Sequence, residues 1–122
     1  MAMIKTGTLF KKGAGGGLFQ RQNWKPRYFK LTKDALFYYD YDSGMQKGTI
    51  DLTSCGRKAL EVMPADSKKT GRSESSEWRL AINTPGRRWL LAAESEEEMH
   101  AWVQAIDGVL AANDIARQSM RM

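Results

Sequence analysis

The sequence predicts a mainly β domain: a seven-stranded antiparallel barrel or sandwich capped by one C-terminal α-helix. Three observations carry this. Short runs of β-branched and aromatic residues, punctuated by turn residues, fill the first three quarters of the chain. The apolar period then changes from two residues to steps of three and four. At 122 residues and 42% hydrophobic, the chain has enough material for one core without metals or disulfides.

The strands are expected at Ile4 to Lys12, Trp24 to Thr32, Ala35 to Tyr41, Lys47 to Leu52, Ala59 to Met63, Glu77 to Asn83 and Arg87 to Ala93. The turns Thr32-Lys33-Asp34, Asp42-Ser43-Gly44 and Thr84-Pro85-Gly86 use residues that tolerate tight backbone geometry. Short connections of this kind imply an antiparallel meander. In the last quarter Met99, Trp102, Val103, Ile106, Val109 and Leu110 share one helical face. Ser95 can cap this helix, Glu98 completes a capping box, and Glu96 to Glu98 put negative charge at the positive end of the helix dipole. A helix of about 16 residues results, with an apolar stripe that can close an open end of the sheet. Gly13 to Gly17 and Ala65 to Ser76 read as loops. The folded domain is expected over 1–113, with 114–122 as a frayed tail.

Charge is unevenly spread. Residues 1–58 hold 11 Lys and Arg against 4 Asp and Glu, whereas residues 59–122 hold 8 against 10. A one-sided basic surface attracts polyanions: nucleic acid, anionic lipid or acidic peptide. The single cysteine, Cys55, cannot form an internal bridge, so the cytosol is the default compartment. No apolar run approaches the roughly 20 residues of a membrane span, and no secretory leader opens the chain, so a cytoplasmic protein with peripheral membrane contact is expected.

The chemistry concentrates on the first hairpin. Alternate residues of a strand share a face. Leu9 and Lys11 therefore lie together, as do Lys25, Arg27, Phe29 and Leu31. In each strand the apolar members lie away from the connecting loop and the basic members beside it. With this face turned inward, the barrel body is apolar and its mouth is cationic, and Lys11, Lys25 and Arg27 converge. Three crowded, partly desolvated cations repel one another, and a bound polyphosphate removes that cost. Arg27 can grip two phosphate oxygens with its planar fork, while the lysines act as point charges. The bland alternative is that each side chain reaches water at a strand end.

The motifs resemble the pleckstrin-homology family. Gly7-Thr8-Leu9-Phe10-Lys11-Lys12-Gly13 is similar to its first strand and Trp24-Lys25-Pro26-Arg27-Tyr28-Phe29-Lys30-Leu31 to its second. Leu36-Phe37-Tyr38-Tyr39 resembles the third strand and Lys47-Gly48-Thr49-Ile50-Asp51-Leu52 the fourth; Ala93-Glu94-Ser95 through Trp102-Val103 resembles the last strand entering the helix. The resemblance spans residues 7 to about 112 in order. It implies a non-catalytic module that binds phosphoinositide head groups and recruits its protein to the cytosolic membrane face. The lipid contacts would fall to Lys11, Lys25, Arg27, Tyr38 and Lys47, with Arg21 beside the mouth, and the set resembles that of members favouring 3-phosphorylated lipids. Tyr38 shares its face with Leu36, so a core-edge role stands beside that of phosphate donor. Two features depart from the pattern: a thirteen-residue spacer separates Lys11 from Lys25, and Pro26 suggests a bulge or an unpaired site.

Within that spacer, Leu18 and Phe19 follow the glycine run and suggest a membrane-inserting tip. The glycine run itself lacks the lysine and Ser/Thr of a phosphate-binding P-loop. One histidine, His100, and one cysteine give neither a nucleophile with its base nor a zinc site, so no enzyme activity, metal or cofactor is expected. The expected partners are phosphoinositides or inositol phosphates and an anionic membrane surface, without nucleic acid: interleaved basic and aromatic residues suit single-strand binding, but the second half is acidic. The competing reading is a protein-interaction module on the same scaffold, with weak or no lipid specificity.

Overall fold

Alternation along the strands decides which side chains meet. In the computed structural model, which describes residues 2–13, 24–65 and 77–120, the strands are β1 (Lys5–Lys12), β2 (Trp24–Leu31), β3 (Ala35–Asp40), β4 (Gln46–Asp51), β5 (Leu60–Val62), β6 (Arg79–Thr84) and β7 (Arg87–Ala92). One helix, α1 (Glu96–Met120), follows, and a single 3-10 turn, Arg57–Ala59, precedes β5. The strands form one antiparallel sheet in the order β4-β3-β2-β1-β7-β6-β5. Leu9, Phe29, Leu31, Leu36, Ile50, Leu80, Ile82 and Leu91 project from its concave face into one fully buried core.

The helix closes the end of this core that holds the β2–β3 turn. Met99, Trp102, Ile106, Val109 and Leu110 are buried, as their three- and four-residue spacing requires. Ser95 Oγ accepts the Glu98 amide at 3.2 Å, the N-terminal cap the sequence announces. The Glu98 carboxylate pairs with Lys5 at 3.6 Å, tying the first helical turn to the start of β1. On the other side of the helix, Asn113 Nδ2 donates to the carbonyls of Leu52 and Cys55.

One expectation is corrected and another is narrowed. The helix does not fray after Asn113 but runs to Met120, making it 25 residues long. Its second half is fastened from outside: Arg57 chelates Asp107 through Nε and Nη2, the Arg57 amide donates to Asp114 Oδ2 at 3.0 Å, and Arg117 donates to Asp114 and to the Thr53 carbonyl. At Pro26, where the sequence suggests a bulge or an unpaired site, the unpaired site forms. The β1–β2 register runs unbroken from Lys5↔Leu31 to Lys12↔Trp24. Pro26 lies just beyond the β2–β3 ladder, which begins at Arg27↔Asp40, and so occupies an unpaired site on that side. The irregularity sits in β4 instead, where Tyr38 pairs with Gly48 and Tyr39 with Gln46, leaving Lys47 as the extra residue.

Candidate functional site

The end of the barrel opposite the helix gathers the last residues of β1 and β3 and the first of β2, β4 and β7. Lys11 pairs with Lys25, and Leu9 with Arg27, across the first hairpin. Leu9 is fully buried, so its face is the inner one, and Lys11 continues that face toward the mouth. From β2, Lys25 and Arg27 take the same face as buried Phe29. The bulge in β4 shifts the alternation by one residue and brings Lys47 round to them.

Lys25, Arg27 and Lys47 line one open cleft of about 370 Å³, together with Pro26, Asp40, Tyr41 and Asp42. Two carboxylates therefore sit among three cations. Asp40 is held at the base of the β3–β4 turn, where its Oδ1 accepts the amides of Asp42 and Ser43 at 2.8 and 3.4 Å. Those turn amides, and then Lys47 and Arg27, hold its carboxyl below the usual carboxylate range. Lys47 Nζ stands 3.9 Å from the other carboxylate oxygen.

Lys11 stands beside this cleft rather than in its wall. Its ammonium lies 5.0 Å from the centre of the Tyr38 ring and 5.4 Å from that of Trp89. Burial lowers its pKa from 10.5 to about 8, with the charges of Arg87 and then Arg27 contributing. Burial is the larger cause, and the neighbouring guanidinium charges add to it.

Arg87 is the residue that sequence reasoning missed. It opens β7 immediately after the Pro85-Gly86 turn, and its guanidinium carbon lies 3.6 Å from the centre of the Trp89 ring. Trp89 Nε1 donates to Thr84 Oγ1 at 3.0 Å, and that hydroxyl donates to the Arg87 carbonyl at 3.1 Å, so turn, ring and guanidinium are fixed as a unit. The available signal was Arg87 at the second position before a tryptophan, which places both on one face of a strand that starts at the same end of the barrel.

Tyr38 lies in the core, 9% exposed, against Phe29 and Trp89. Its hydroxyl fits over Gly48, where a Cβ would collide with it. It supports Lys11 from below and does not line the cleft. Leu18, Phe19 and Arg21 lie outside the described residues. His100 is exposed and pairs with Glu96 at 3.7 Å. Among the described residues, no group of three or more His, Cys, Asp or Glu could hold a metal ion, and no helix is long and apolar enough to cross a membrane. Cys55 is buried, and that burial pushes its thiol pKa upward, away from nucleophilic chemistry.

Lys25, Arg27 and Lys47 thus share one cleft, and Lys11 and Arg87 stand beside it against the Tyr38 and Trp89 rings. Asp40 and Asp42 offset part of this positive charge; a ligand with several negative charges would offset more, and the two guanidinium groups can each present a fork to a phosphate.

Comparison with known proteins fits this geometry. The PH domain family model matches residues 3–111. Diacylglycerol kinase eta of Mus musculus is 33% identical over 106 residues, which cover 87% of this chain and 7% of that protein. The chain spans a tenth or less of the length of curated relatives of this kind. Among solved structures, the C-terminal PH domain of human pleckstrin superposes with a TM-score of 0.67 at 28% identity, covering 88% of this chain and 86% of that one. The C-terminal PH domain of pleckstrin in complex with D-myo-Ins(1,2,3,4,5)P5 gives 0.61 at 28% identity, covering 90% and 99%.

Proposed function

This chain belongs to the PH domain family, and from that premise we propose that it is a phosphoinositide-binding module that recruits its protein to the cytosolic face of a membrane. The observation that carries the reading is the meeting of Lys25, Arg27 and Lys47 in one cleft, with Lys11 and Arg87 at its side. In this reading Arg27 is central. It lines the cleft with Lys25 and Lys47 and also acts electrostatically on Lys11, so it joins the two halves of the basic mouth. Lys25 and Lys47 neutralise phosphates as point charges, and Arg87, braced on Trp89, closes the far side.

A preference for 3-phosphorylated lipids belongs to the same proposal. It is supported by the combination of Lys11, Lys25-x-Arg27, Tyr38 and Lys47, with Tyr38 acting by holding Lys11 in place. Arg21 joins the anion contacts in this reading, and Leu18 and Phe19 enter the lipid interface. A 28% identical neighbour solved with an inositol pentakisphosphate supports the ligand class.

The test is a vesicle panel that varies the phosphoinositide isomer, run on the parent and on Arg27→Ala. Binding should rank the 3-phosphorylated isomers highest, weaken as salt rises and fall at least tenfold in the variant. Equal binding by parent and variant, or indifference to phosphoinositide, would overturn the proposal in favour of a protein-binding role at a strand edge.

A further inference from the structure

The β3–β4 turn carries two large apolar side chains into solvent beside the cationic cleft. Tyr41 is 58% exposed and Met45 is 69% exposed. Both belong to a turn that projects from the mouth end of the barrel, and Tyr41 itself forms part of the cleft wall with Arg27 and Lys47. The outer side of the turn continues into a second small cleft of about 300 Å³, where Tyr41 meets Tyr28, Tyr39 and Lys30. Exposed apolar groups at one edge of a basic patch are the arrangement by which peripheral proteins sit in a bilayer interface, and tyrosine suits that zone because its ring is apolar and its hydroxyl is not.

The backbone of the turn is suited to the same environment. Asp40 Oδ1 accepts the amides of Asp42 and Ser43, the Asp40 carbonyl accepts that of Gly44 at 2.9 Å, and Ser43 Oγ accepts that of Met45 at 3.2 Å. Four successive amides, 42 to 45, are therefore satisfied inside the turn. An amide without a partner is costly to take out of water, and this turn can be partly desolvated without exposing any of these four. Gly44 adopts the left-handed conformation, φ +73°, that closes the loop. The turn is thus pre-formed, so seating it against lipid orders little new backbone. Asp42 is among the residues that line the cleft with Lys25 and Arg27.

We propose that the β3–β4 turn is a membrane anchor: Tyr41 and Met45 enter the interfacial layer of an anionic bilayer while the adjacent cleft holds a head group. The bilayer is favoured over a protein partner because the apolar tip and the basic mouth face the same way, and a flat anionic surface engages both at once. The inference rests on the head-group reading above and adds to it a contact with the acyl region.

The experiment compares the parent with Tyr41→Ser/Met45→Ser on two probes: a soluble inositol polyphosphate, and vesicles of phosphatidylcholine and phosphatidylserine carrying a phosphoinositide. Because Tyr41 also lines the cleft, the double variant is read as a ratio: vesicle binding should weaken by roughly ten- to a hundredfold beyond any loss of soluble affinity, the scale expected for withdrawing two large apolar groups from the interface, and an equal loss on both probes overturns the anchor. Met45→Ser, outside the cleft wall, should leave the soluble affinity within about twofold while still weakening vesicle binding. A second measurement uses Met45→Cys carrying a polarity-sensitive fluorophore, with buried Cys55 shielded from labelling. Its emission should shift to the blue on vesicles and stay unchanged with the soluble polyphosphate. Unchanged vesicle affinity in the double variant, or a label that remains in water on vesicles, overturns the anchor and leaves the head-group reading standing. A parent that binds neither probe overturns the head-group reading and the anchor with it.

Discussion

The Lys11 ammonium stands 5.0 Å from the centre of the Tyr38 ring. With Trp89 on another side and Arg87 and Arg27 nearby, the lysine is held by aromatic faces while burial and neighbouring charge lower its pKa to about 8. A lysine whose pKa falls on folding binds its proton less tightly in the native state than in the unfolded one, which keeps the ordinary value of 10.5. Between these two values the unfolded chain carries the extra proton, so stability rises with pH across that window, and the penalty is fully present below it. Denaturant midpoints measured at about pH 7.5 and 9.5 should show this rise. In Lys11→Met the rise should shrink.

The same group makes binding pH-sensitive with the opposite sign. A polyanion stabilises the charged form of Lys11, raises its pKa and takes up a proton on binding. Affinity for a soluble inositol polyphosphate should therefore be greatest below about pH 8 and fall by up to about tenfold one unit higher. Lys11→Arg, which stays charged, should give a flat profile over that range. Calorimetric titrations in buffers of different ionisation enthalpy would detect the proton directly.

Asp40 should act as a brake on the site. Its charge opposes a polyanion beside Arg27 and Lys47, while its Oδ1 holds the turn. Asp40→Asn keeps an oxygen for the Asp42 and Ser43 amides and removes the charge, so affinity for inositol polyphosphates should rise about three- to tenfold with little change in folding. Asp40→Ala removes both functions and should lower the denaturant midpoint as well. A gain in affinity with Asn but a loss of stability with Ala would separate the two roles.

Gly48 is required by the Tyr38 hydroxyl that occupies the space where a side chain would begin. Gly48→Ala should destabilise the fold by about 1–3 kcal/mol through overpacking and displace Tyr38 from beneath Lys11. Tyr38→Phe removes the nearest atom in conflict but leaves the ring carbons Cζ and Cε1 close to the new Cβ, so it should recover a small part of the loss, read as a favourable coupling in a double-mutant cycle. Strict additivity of the two substitutions would argue against this contact.

Truncation after Asn113 should lower stability, because it removes Asp114 and Arg117 and with them the contacts to the Arg57 amide and the Thr53 carbonyl. A lowered thermal midpoint with retained β-sheet spectra would identify residues 114–120 as part of the folded unit.

Much of this molecule was legible in the sequence because its signals are local. Strand alternation placed Leu9, Phe29 and Leu31 inside and Lys11, Lys25 and Arg27 toward one end, and the spacing of Met99, Trp102 and Ile106 fixed the buried stripe of the helix. What local periodicity could not reveal were partnerships between residues far apart in the chain. Residues 114–120 carry no strong apolar repeat, and their helix is held by Arg57 and Thr53, some sixty positions away. Lys47 reads from alternation as outward-facing until a bulge against β3 turns it. Arg87 and Asp40 join the site because β7 begins and β3 ends at the mouth where β1 and β2 meet. The chain's own order therefore determined the scaffold and the sign of its basic face. Tertiary packing decided the charge balance of the mouth, because the energies of ionised groups depend on distance and burial, which residue types and spacing do not specify.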